Sequence, residues 1–211
     1  MIIIAIDGPA AAGKGTLAKR IAATLKLPYL DTGRLYRATA KRLLEAGADP
    51  SDELAALAAA LELSEADTAR DDLRDAATSK AASQVSAIPA VRRTLLAYQR
   101  AYGSARGAVL DGRDIGTVIF PHADVKLFVT ASAETRARRR HAELTARGET
   151  MTLEEVLADV IARDEADSTR TTAPLIPAHD AVLIDTTDLN ADEAYDQALK
   201  IIKAKTSKNS F

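Results

Sequence analysis

The most constraining feature of this sequence is a small-residue loop that directly follows a short apolar run. Residues 2–6 read Ile-Ile-Ile-Ala-Ile, a continuous β-branched run that predicts a strand covered on both faces of a parallel sheet. After the loop, Leu17, Ile21 and Leu25 recur at helical spacing, and Pro28 closes that segment. A strand, a G-x-x-x-x-G-K loop and a helix in this order predict a phosphate-binding loop.

Eight small or apolar residues and one lysine make up this loop. They are Gly8, Pro9, Ala10, Ala11, Ala12, Gly13, Lys14, Gly15 and Thr16. Small residues let backbone N–H groups approach phosphate oxygens, and Lys14 adds a full positive charge at the β- and γ-phosphates. A strict motif has Ser or Thr directly after the lysine. Here Gly15 takes that place, so Thr16 is the one candidate magnesium ligand, directly or through a water molecule.

The rest of the chain predicts strands that alternate with helices. Apolar runs predict further strands at residues 108–110, 125–130 and 181–184, and residues 28–30 are expected to form a short extended piece. Helical spacing predicts helices at 14–26, 35–46, 132–147, 152–169 and about 191–204. Residues 51–100 are rich in alanine and charge, with Pro89 as the single interruption, and predict a helical insertion. We therefore predict an α/β fold, a parallel sheet flanked by helices, in one domain over residues 1–211. The polar tail from Lys203 to Phe211 is expected to fray.

Composition limits the possible partners. The formal net charge is −2, so the whole molecule has no general attraction to nucleic acid or to an anionic membrane. The opening apolar run, Met1 to Ile6, is too short to span a bilayer and lacks the basic segment of a signal peptide. With no cysteine in the chain, we expect a cytoplasmic protein. Arginine outnumbers lysine, 18 to 10, and arginine binds phosphate through two parallel hydrogen bonds.

A phosphate-binding loop alone also occurs in switches and motors. Guanine-binding switches use an Asn-Lys-x-Asp segment, and the two asparagines, Asn190 and Asn209, lie in no such setting. Four arginines at positions 136, 138, 139 and 140 form the densest basic run, but only 4% of residues are aromatic, which argues against a single-stranded nucleic-acid site. We expect these arginines on a helix that leads into a short lid, some of them facing the nucleotide.

Four further segments sharpen this interpretation. They are Leu30–Arg37, Ala82–Arg92, Asp111–Pro121, which reads Asp-Gly-Arg-Asp-Ile-Gly-Thr-Val-Ile-Phe-Pro, and Arg163–Arg170 with Ala173-Pro174-Leu175 after it. Together with Gly13-Lys14-Gly15-Thr16 they resemble the bacterial cytidylate kinases, a family of nucleoside monophosphate kinases, from Ile4 to the C-terminal helix. The resemblance implies a P-loop kinase fold.

The resemblance also implies an activity. It is the ATP-dependent phosphorylation of CMP and dCMP to CDP and dCDP in pyrimidine nucleotide metabolism, with Mg²⁺ as cofactor and the loop residues binding ATP. An insert within residues 33–106 would bind the monophosphate, and residues 141–170 would form the lid. The family usually has a longer insert that contains strands. Residues 61–78 are too few and too helical for these, so we predict a shortened, helical insert.

Site residues follow from the same resemblance. Asp114 is expected to face the exocyclic amine of cytosine, and Ser83 and Arg92 to complete the base site. Arg37 and Arg113 are expected to clamp the acceptor phosphate, beside Thr32 and Tyr36. Asp167 and Arg170 would bind the sugar, and Arg163 would lie near the transferring phosphoryl group. The expected catalytic residues are Lys14, Arg113, Arg163 and Arg170.

Two other functions remain open at this point. A kinase on the same scaffold could act on UMP, AMP or shikimate instead of CMP. Alternatively, a regulatory or RNA-binding module could bind ATP merely to sense it, although arginine and aspartate pairs in four segments beyond the loop are more than one nucleotide needs. We expect a monomer whose partners are ATP and CMP or dCMP, without nucleic acid or membrane.

Overall fold

Five parallel strands form one sheet in the order β2-β3-β1-β4-β5 in the computed structural model, which describes residues 1–207. The strands are β1 (Ile3–Asp7), β2 (Tyr29–Asp31), β3 (Ala108–Gly112), β4 (Val125–Thr130) and β5 (Val182–Asp185). The four predicted strands are present, the extended piece predicted at residues 28–30 overlaps β2, and the predicted fold class is confirmed. Because the strands are parallel, the loops after β1, β2 and β3 open at one edge of the sheet, where ligands bind in such folds.

Nine α-helices and one π-helical turn, Ile115–Ile119, complete the described part of the chain. The helices are α1 (Lys14–Leu25), α2 (Thr32–Glu45), α3 (Glu53–Leu61), α4 (Glu65–Ala69), α5 (Ala76–Ala87), α6 (Pro89–Arg106), α7 (Ala133–Ala146), α8 (Leu153–Thr169) and α9 (Ala191–Ser207). Helix α2 begins at Thr32, before the predicted Leu35, because Asp31 caps it by accepting a hydrogen bond from the Arg34 N–H. The predicted fraying is wrong for residues 203–207, which belong to α9, and residues 208–211 lie outside the described residues.

Apolar side chains fill both faces of the sheet. On one face, strand residues such as Ile6 and Leu127 pack against Ile21 of α1 and Ile202 of α9. On the other face, Leu110 packs with residues of the π-helical turn. Each of these apolar side chains is almost fully buried, and burying one contributes about 1.5–3 kcal/mol. The core thereby fixes the strand ends from which the loops emerge.

The segment between β2 and β3 is helical throughout and has its own apolar core. Helices α2, α3, α5 and α6 enclose Leu35, Leu43, Val85, Val91 and Leu95. Side chains cap α3, α4 and α5 at their N-termini, and the predicted interruption at the proline is the first residue of α6, where a proline is well tolerated. As described, residues 61–78 contain no strand.

Helices α7 and α8 form a hairpin with a small separate core of Ala137, Leu144, Val156 and Val160. Gly148 lies in the connection with a positive φ of 83°, a conformation that favours glycine. Thr152 and Glu155 form a capping box that starts α8. The hairpin contacts the helical insert: Arg140 of α7 donates a hydrogen bond to the hydroxyl of Ser79 on α5.

The backbone at Gly8 leaves no room for a side chain. Its φ is 143°, and a Cβ atom would lie 1.9 Å from the carbonyl oxygen of Val129. We expect Gly8→Ala to lower the free energy of unfolding in urea by at least about 3 kcal/mol, because the methyl group would collide with the backbone of β4.

Gly47→Ala is the matched control. Gly47 also has a positive φ, of 66°, but nothing lies within 4 Å of its Cβ position. Its substitution should cost only the backbone strain of about 1–2 kcal/mol. Equal losses in the two variants would contradict the close approach of the loop to β4.

Candidate active site

The phosphate-binding loop has the backbone geometry of an anion site. Positive φ angles at Gly8, Ala11 and Gly13 turn the chain sharply between β1 and α1. No side chain caps α1, and its first turn holds no acidic residue, so its N-terminal N–H groups and partial positive charge face an open space. The loop is therefore suited to bind phosphate oxygens.

Lys14 is buried at the base of this loop. Its Nζ donates a hydrogen bond to the carbonyl oxygen of Pro9, at 2.7 Å. Burial, reinforced by the positive charge of Arg113, lowers the pKa of Lys14 to about 7. A polyanion bound in the loop would favour the charged form again.

Asp7, at the end of β1, ties the loop to the segment after β3. Its two carboxylate oxygens accept hydrogen bonds from the N–H groups of Ile115, at 2.8 Å, and Gly116, at 2.7 Å. Burial raises the pKa of Asp7 to about 7, although both hydrogen bonds favour the carboxylate. These contacts fix the start of the π-helical turn and hence the position of Asp114, which immediately precedes it.

Asp114 and Arg92 form a buried ion pair at one end of the cleft. Arg92 Nη2 donates to Asp114 Oδ2, and each side chain is only 7% exposed. The guanidinium of Arg92 also lies over the ring of Tyr36, 5.4 Å from its centroid. A buried charged pair of this kind can hydrogen-bond to a polar group on a ligand and discriminate against a ligand that lacks this group.

Asp167 holds two further arginines. Its Oδ2 accepts a hydrogen bond from Arg113 Nε, at 2.9 Å, and its Oδ1 accepts one from Arg170 Nη1, at 3.2 Å. Burial acts to raise the pKa of Asp167, but the neighbouring guanidinium groups outweigh it, so the pKa lies below its usual value. Arg170 lies just beyond the end of α8, and its Nη2 has no hydrogen-bond partner among the described residues.

Arg163 differs from its neighbours because no carboxylate neutralises it directly. Its Nε is buried without a hydrogen-bond acceptor in residues 1–207. Burial and the nearby charge of Arg113 lower the pKa of Arg163 to about 10. An unpaired guanidinium group in a cleft is a site prepared for an anion.

Asp31 occupies the corresponding place at the end of β2. Its Oδ2 accepts hydrogen bonds from Arg37 Nη2, at 2.8 Å, and from Arg74 Nη2, at 2.9 Å. Burial acts to raise the pKa of Asp31, but the two arginines lower it below its usual value. Thr32 is buried beside it, and its hydroxyl donates to the carbonyl oxygen of Asp111, at 2.8 Å.

The basic run of α7 divides between the cleft and the scaffold. Arg139 and Arg140 line the cleft. Arg136 is buried, pairs with Asp164 and donates to the carbonyl oxygen of Ala131. Arg138 donates only to the hydroxyl of Thr135. The expectation that some arginines of this run face the nucleotide therefore applies to positions 139 and 140.

Most predicted site residues meet in one cleft of about 510 Å³ at the open edge of the sheet. The predicted residues that line it are Ala10, Ala11, Ala12, Gly13, Lys14, Gly15, Thr16, Thr32, Tyr36, Arg37, Arg92, Arg113, Asp114, Arg163, Asp167 and Arg170. Gly8 and Pro9 form the entrance of the loop but do not line the cleft. Nor does Ser83: helix α5 presents Ser79, Ala82 and Ser86 to it instead.

The cleft is strongly basic within a weakly acidic chain. Ten lysines and arginines line it, against five carboxylates, whereas the chain as a whole carries a net charge of −2. Its volume lies within the range of about 300–1,000 Å³ that is usual for small-molecule sites. The positive charge comes from separate segments that the fold brings together.

Comparisons with known proteins agree with this geometry. A family model described as cytidylate kinase matches residues 4–204. The cytidylate kinase of Acidiphilium cryptum is 55% identical over 201 residues, 95% of each chain, and that of Paramagnetospirillum magneticum is 55% identical over 207 residues, 96% of this chain and 98% of its own. The chain belongs to the cytidylate kinase family. It is thus a nucleoside monophosphate kinase, a phosphotransferase, and the resemblance seen in the motifs is confirmed.

A solved structure supports the fold independently. A gluconokinase from Sinorhizobium meliloti superposes with a TM-score of 0.51, at 17% identity, over 99% of this chain and 94% of its own. At this identity the likeness applies to the fold alone. It agrees with the predicted P-loop kinase architecture.

Sequence reasoning missed three residues of the site. Asp7 ends β1 and belongs to no recognised motif, and Asp111 begins the Asp111–Pro121 segment but was given no role of its own. Arg74 lies in a short turn without periodicity. The position of Asp7 and Asp111 at the carboxyl ends of parallel strands is the one signal that could have singled them out.

The lowered pKa of Lys14 predicts proton uptake on nucleotide binding. At pH 8, above the value of about 7 in the empty cleft, most of Lys14 is neutral, and bound ATP should restore its charge. Calorimetric titration with ATP in buffers of different ionisation enthalpy should detect close to one proton taken up per site. Lys19→Met, which removes an exposed lysine at the cleft, should keep the uptake. Uptake that persists in Lys14→Met would contradict the assignment.

Proposed function

We propose that this cleft transfers the γ-phosphoryl group of ATP to CMP and dCMP. The observation that carries the proposal is the meeting, at one sheet edge, of a phosphate-binding loop and a second set of arginines with its own buried Asp114. A protein that only sensed ATP would need the loop and little else. Membership of the cytidylate kinase family supports the same conclusion.

On the donor side, residues Gly8 to Thr16 are proposed to bind ATP. Their backbone N–H groups and the N-terminus of α1 would surround the phosphates, and Lys14 would add its charge at the β- and γ-phosphates. Arg139 and Arg140, on α7, line the cleft and are proposed to contact the nucleotide.

On the acceptor side, Arg37 and Arg113 are proposed to clamp the phosphate of CMP. The planar guanidinium fixes two oxygens at once and so aligns the attacking oxygen with the donor. The unpaired Arg163 is proposed to meet the phosphoryl group in transfer. Asp167 and Arg170 are proposed to bind the sugar, Arg170 with its free Nη2.

At the base end, Asp114 is proposed to accept a hydrogen bond from the exocyclic amine of cytosine, with Arg92 beside it. Uracil has a carbonyl at that position, which would face the carboxylate and leave it without a donor, at a cost of about 1–3 kcal/mol. Tyr36, under Arg92, would support the pair. Ser83, half-buried on α5, remains a predicted part of the base site. Thr32 remains a predicted residue of the acceptor-phosphate site, although its hydroxyl already donates a hydrogen bond to the carbonyl oxygen of Asp111.

The donor set fits a magnesium ion that is bound largely through nucleotide phosphates. Thr16 is exposed to the cleft, and Asp111 Oδ2 lies 3.3 Å from the Cβ position of Gly15. Mg²⁺ commonly takes one or two protein oxygens together with phosphates and waters. We propose that Thr16 and Asp111 would hold it, directly or through water. When bound it would neutralise charge on the phosphates.

Catalysis in this proposal is alignment and charge neutralisation. The attacking oxygen of CMP is already ionised near neutral pH, so no side chain must remove a proton. Fixing both phosphates in line can supply roughly 7–11 kcal/mol. Water must be excluded to prevent hydrolysis of ATP, and the insert within residues 33–106 and the lid of residues 141–170 are proposed to enclose the cleft from its two sides.

The proposed setting is a cytoplasmic monomer in pyrimidine nucleotide metabolism. All the residues proposed to bind the donor and the acceptor belong to this chain, so the proposal requires no residue from a second copy. No helix within residues 1–207 is long and apolar enough to cross a membrane. The proposal includes no nucleic acid as partner.

An acceptor panel tests the proposal. Purified protein with Mg-ATP is offered CMP, dCMP, UMP, AMP and shikimate, and ADP release is recorded. We expect kcat/KM for CMP and dCMP to exceed the other values by roughly 10-fold or more, from the discrimination at the base. Faster turnover of UMP, AMP or shikimate would refute the base assignment, and ATP consumption without any acceptor dependence would refute the kinase activity.

Asp114→Asn, measured with the same acceptor panel, tests whether Asp114 causes the preference for CMP over UMP. We expect kcat/KM for CMP to fall by about 10- to 100-fold and the preference over UMP to shrink, while KM for ATP stays unchanged. Asp180→Asn is the control, because Asp180 also pairs with a buried cation, Lys126, but lies outside the cleft. A larger effect of Asp114→Asn on ATP than on CMP would remove its proposed role.

A further inference from the structure

One cleft arginine, Arg74, has no part in the function proposed above. It belongs to the short turn between α4 and α5, in the shortened insert. Its guanidinium lines the cleft and is 41% exposed. Its Nη2 lies 2.9 Å from Asp31 Oδ2 and 3.8 Å from the Cβ position of Gly15 in the phosphate-binding loop. Arg74 is therefore placed between the donor loop and the acceptor arginines.

The turn that carries Arg74 is held by α7 and by the connection between α7 and α8. Arg140 Nη2 donates hydrogen bonds to the carbonyl oxygen of Arg74, at 3.0 Å, and to the hydroxyl of Ser79, at 3.1 Å. The backbone N–H of Ala76 contacts both carboxylate oxygens of Glu149, at 3.2 Å each. Arg140 and Glu149 thus hold the backbone around Arg74 in place beside the cleft.

The balance of charged side chains around Arg74 favours the binding of an anion. A single oxygen of Asp31 accepts hydrogen bonds from both Arg74 and Arg37. The only other carboxylate paired with Arg74 within residues 1–207 is Glu143, whose Oε1 is 3.7 Å from Nη1 and which also pairs with Arg140. Across the cleft ten lysines and arginines face five carboxylates, Asp111 among them, and a bound phosphate group would reduce this excess of positive charge.

We propose that Arg74 binds the phosphoryl group during transfer, between the phosphate-binding loop and Arg37. The inference rests on the proposed kinase function. In the step, the bond from the γ-phosphorus to the bridging oxygen of ATP breaks and leaves its electron pair on ADP, while an ionised oxygen of CMP forms the new bond. Arg74 neutralises charge on the oxygens of the moving group and exchanges no proton. The shortened insert thereby contributes directly to the chemistry.

The test compares Arg74→Gln with Arg70→Gln. Arg70 lies on the same segment and loses the same charge, but it pairs with the exposed Glu45 and Asp72 and does not line the cleft. We expect kcat with CMP and ATP to fall at least about 10-fold in Arg74→Gln and to stay within about twofold of wild type in Arg70→Gln. Both variants should keep the wild-type melting temperature to within about 3 °C. Arg74→Lys should recover part of the loss.

Affinity for inorganic tripolyphosphate, measured by calorimetry, gives a readout that does not depend on turnover. It should be at least about fivefold weaker in Arg74→Gln than in Arg70→Gln, as expected for a lost charged contact. Equal kcat and equal tripolyphosphate affinity in the two variants would overturn the inference. A wild-type protein that binds tripolyphosphate but does not phosphorylate CMP would refute the proposed function, while the affinity comparison would still decide the role of Arg74.

Discussion

The carboxylate of Asp7 accepts hydrogen bonds from two consecutive N–H groups, those of Ile115 and Gly116, and thereby joins the two halves of the cleft. One half is the phosphate-binding loop, which starts at the residue after Asp7. The other is the segment with Arg113 and Asp114, which ends where the π-helical turn begins. Each of these hydrogen bonds contributes about 0.5–3 kcal/mol, depending on the charge of Asp7, and burial makes any loosening costly. The sheet and these two hydrogen bonds, and not flexible loops, therefore fix the segment with Arg113 and Asp114 relative to the phosphate-binding loop.

Electrostatics explains how a chain with net charge −2 holds a cleft for two anionic substrates. Most cleft arginines are neutralised by carboxylates in the same space, such as Asp31, Asp114 and Asp167. These pairs keep the guanidinium groups in place before any ligand binds, which reduces the ordering needed on binding. Arg163, at the point where transfer is proposed, has no ion pair within residues 1–207, and its buried Nε has no hydrogen-bond acceptor there. Ion pairs inside the cleft thus hold the charged groups in place, and the protein surface as a whole need not be basic.

The fold was largely predictable because buried parallel strands leave continuous apolar runs, and four of the five strands were predicted from them. The phosphate-binding loop was predictable because its glycine and lysine spacing lies between a strand and a helix. Finer features were not. The phase of α5, which presents Ser79 and Ser86 rather than Ser83, depends on packing against other helices. Arg74 reaches the cleft through a turn with no periodic pattern. Which of the α7 arginines face the nucleotide likewise depends on the orientation of that helix.

The most direct test of this account is a crystal structure with a bisubstrate analogue in which five phosphates join adenosine to cytidine. We expect phosphates within hydrogen-bond distance of Lys14, Arg113 and Arg163. We also expect the cytosine amine against Asp114, with the contacts of Asp7 unchanged. A complex in which the cytosine lies away from Asp114, or in which Arg163 remains without a phosphate partner, would contradict the central claim that this cleft aligns two nucleotides for phosphoryl transfer.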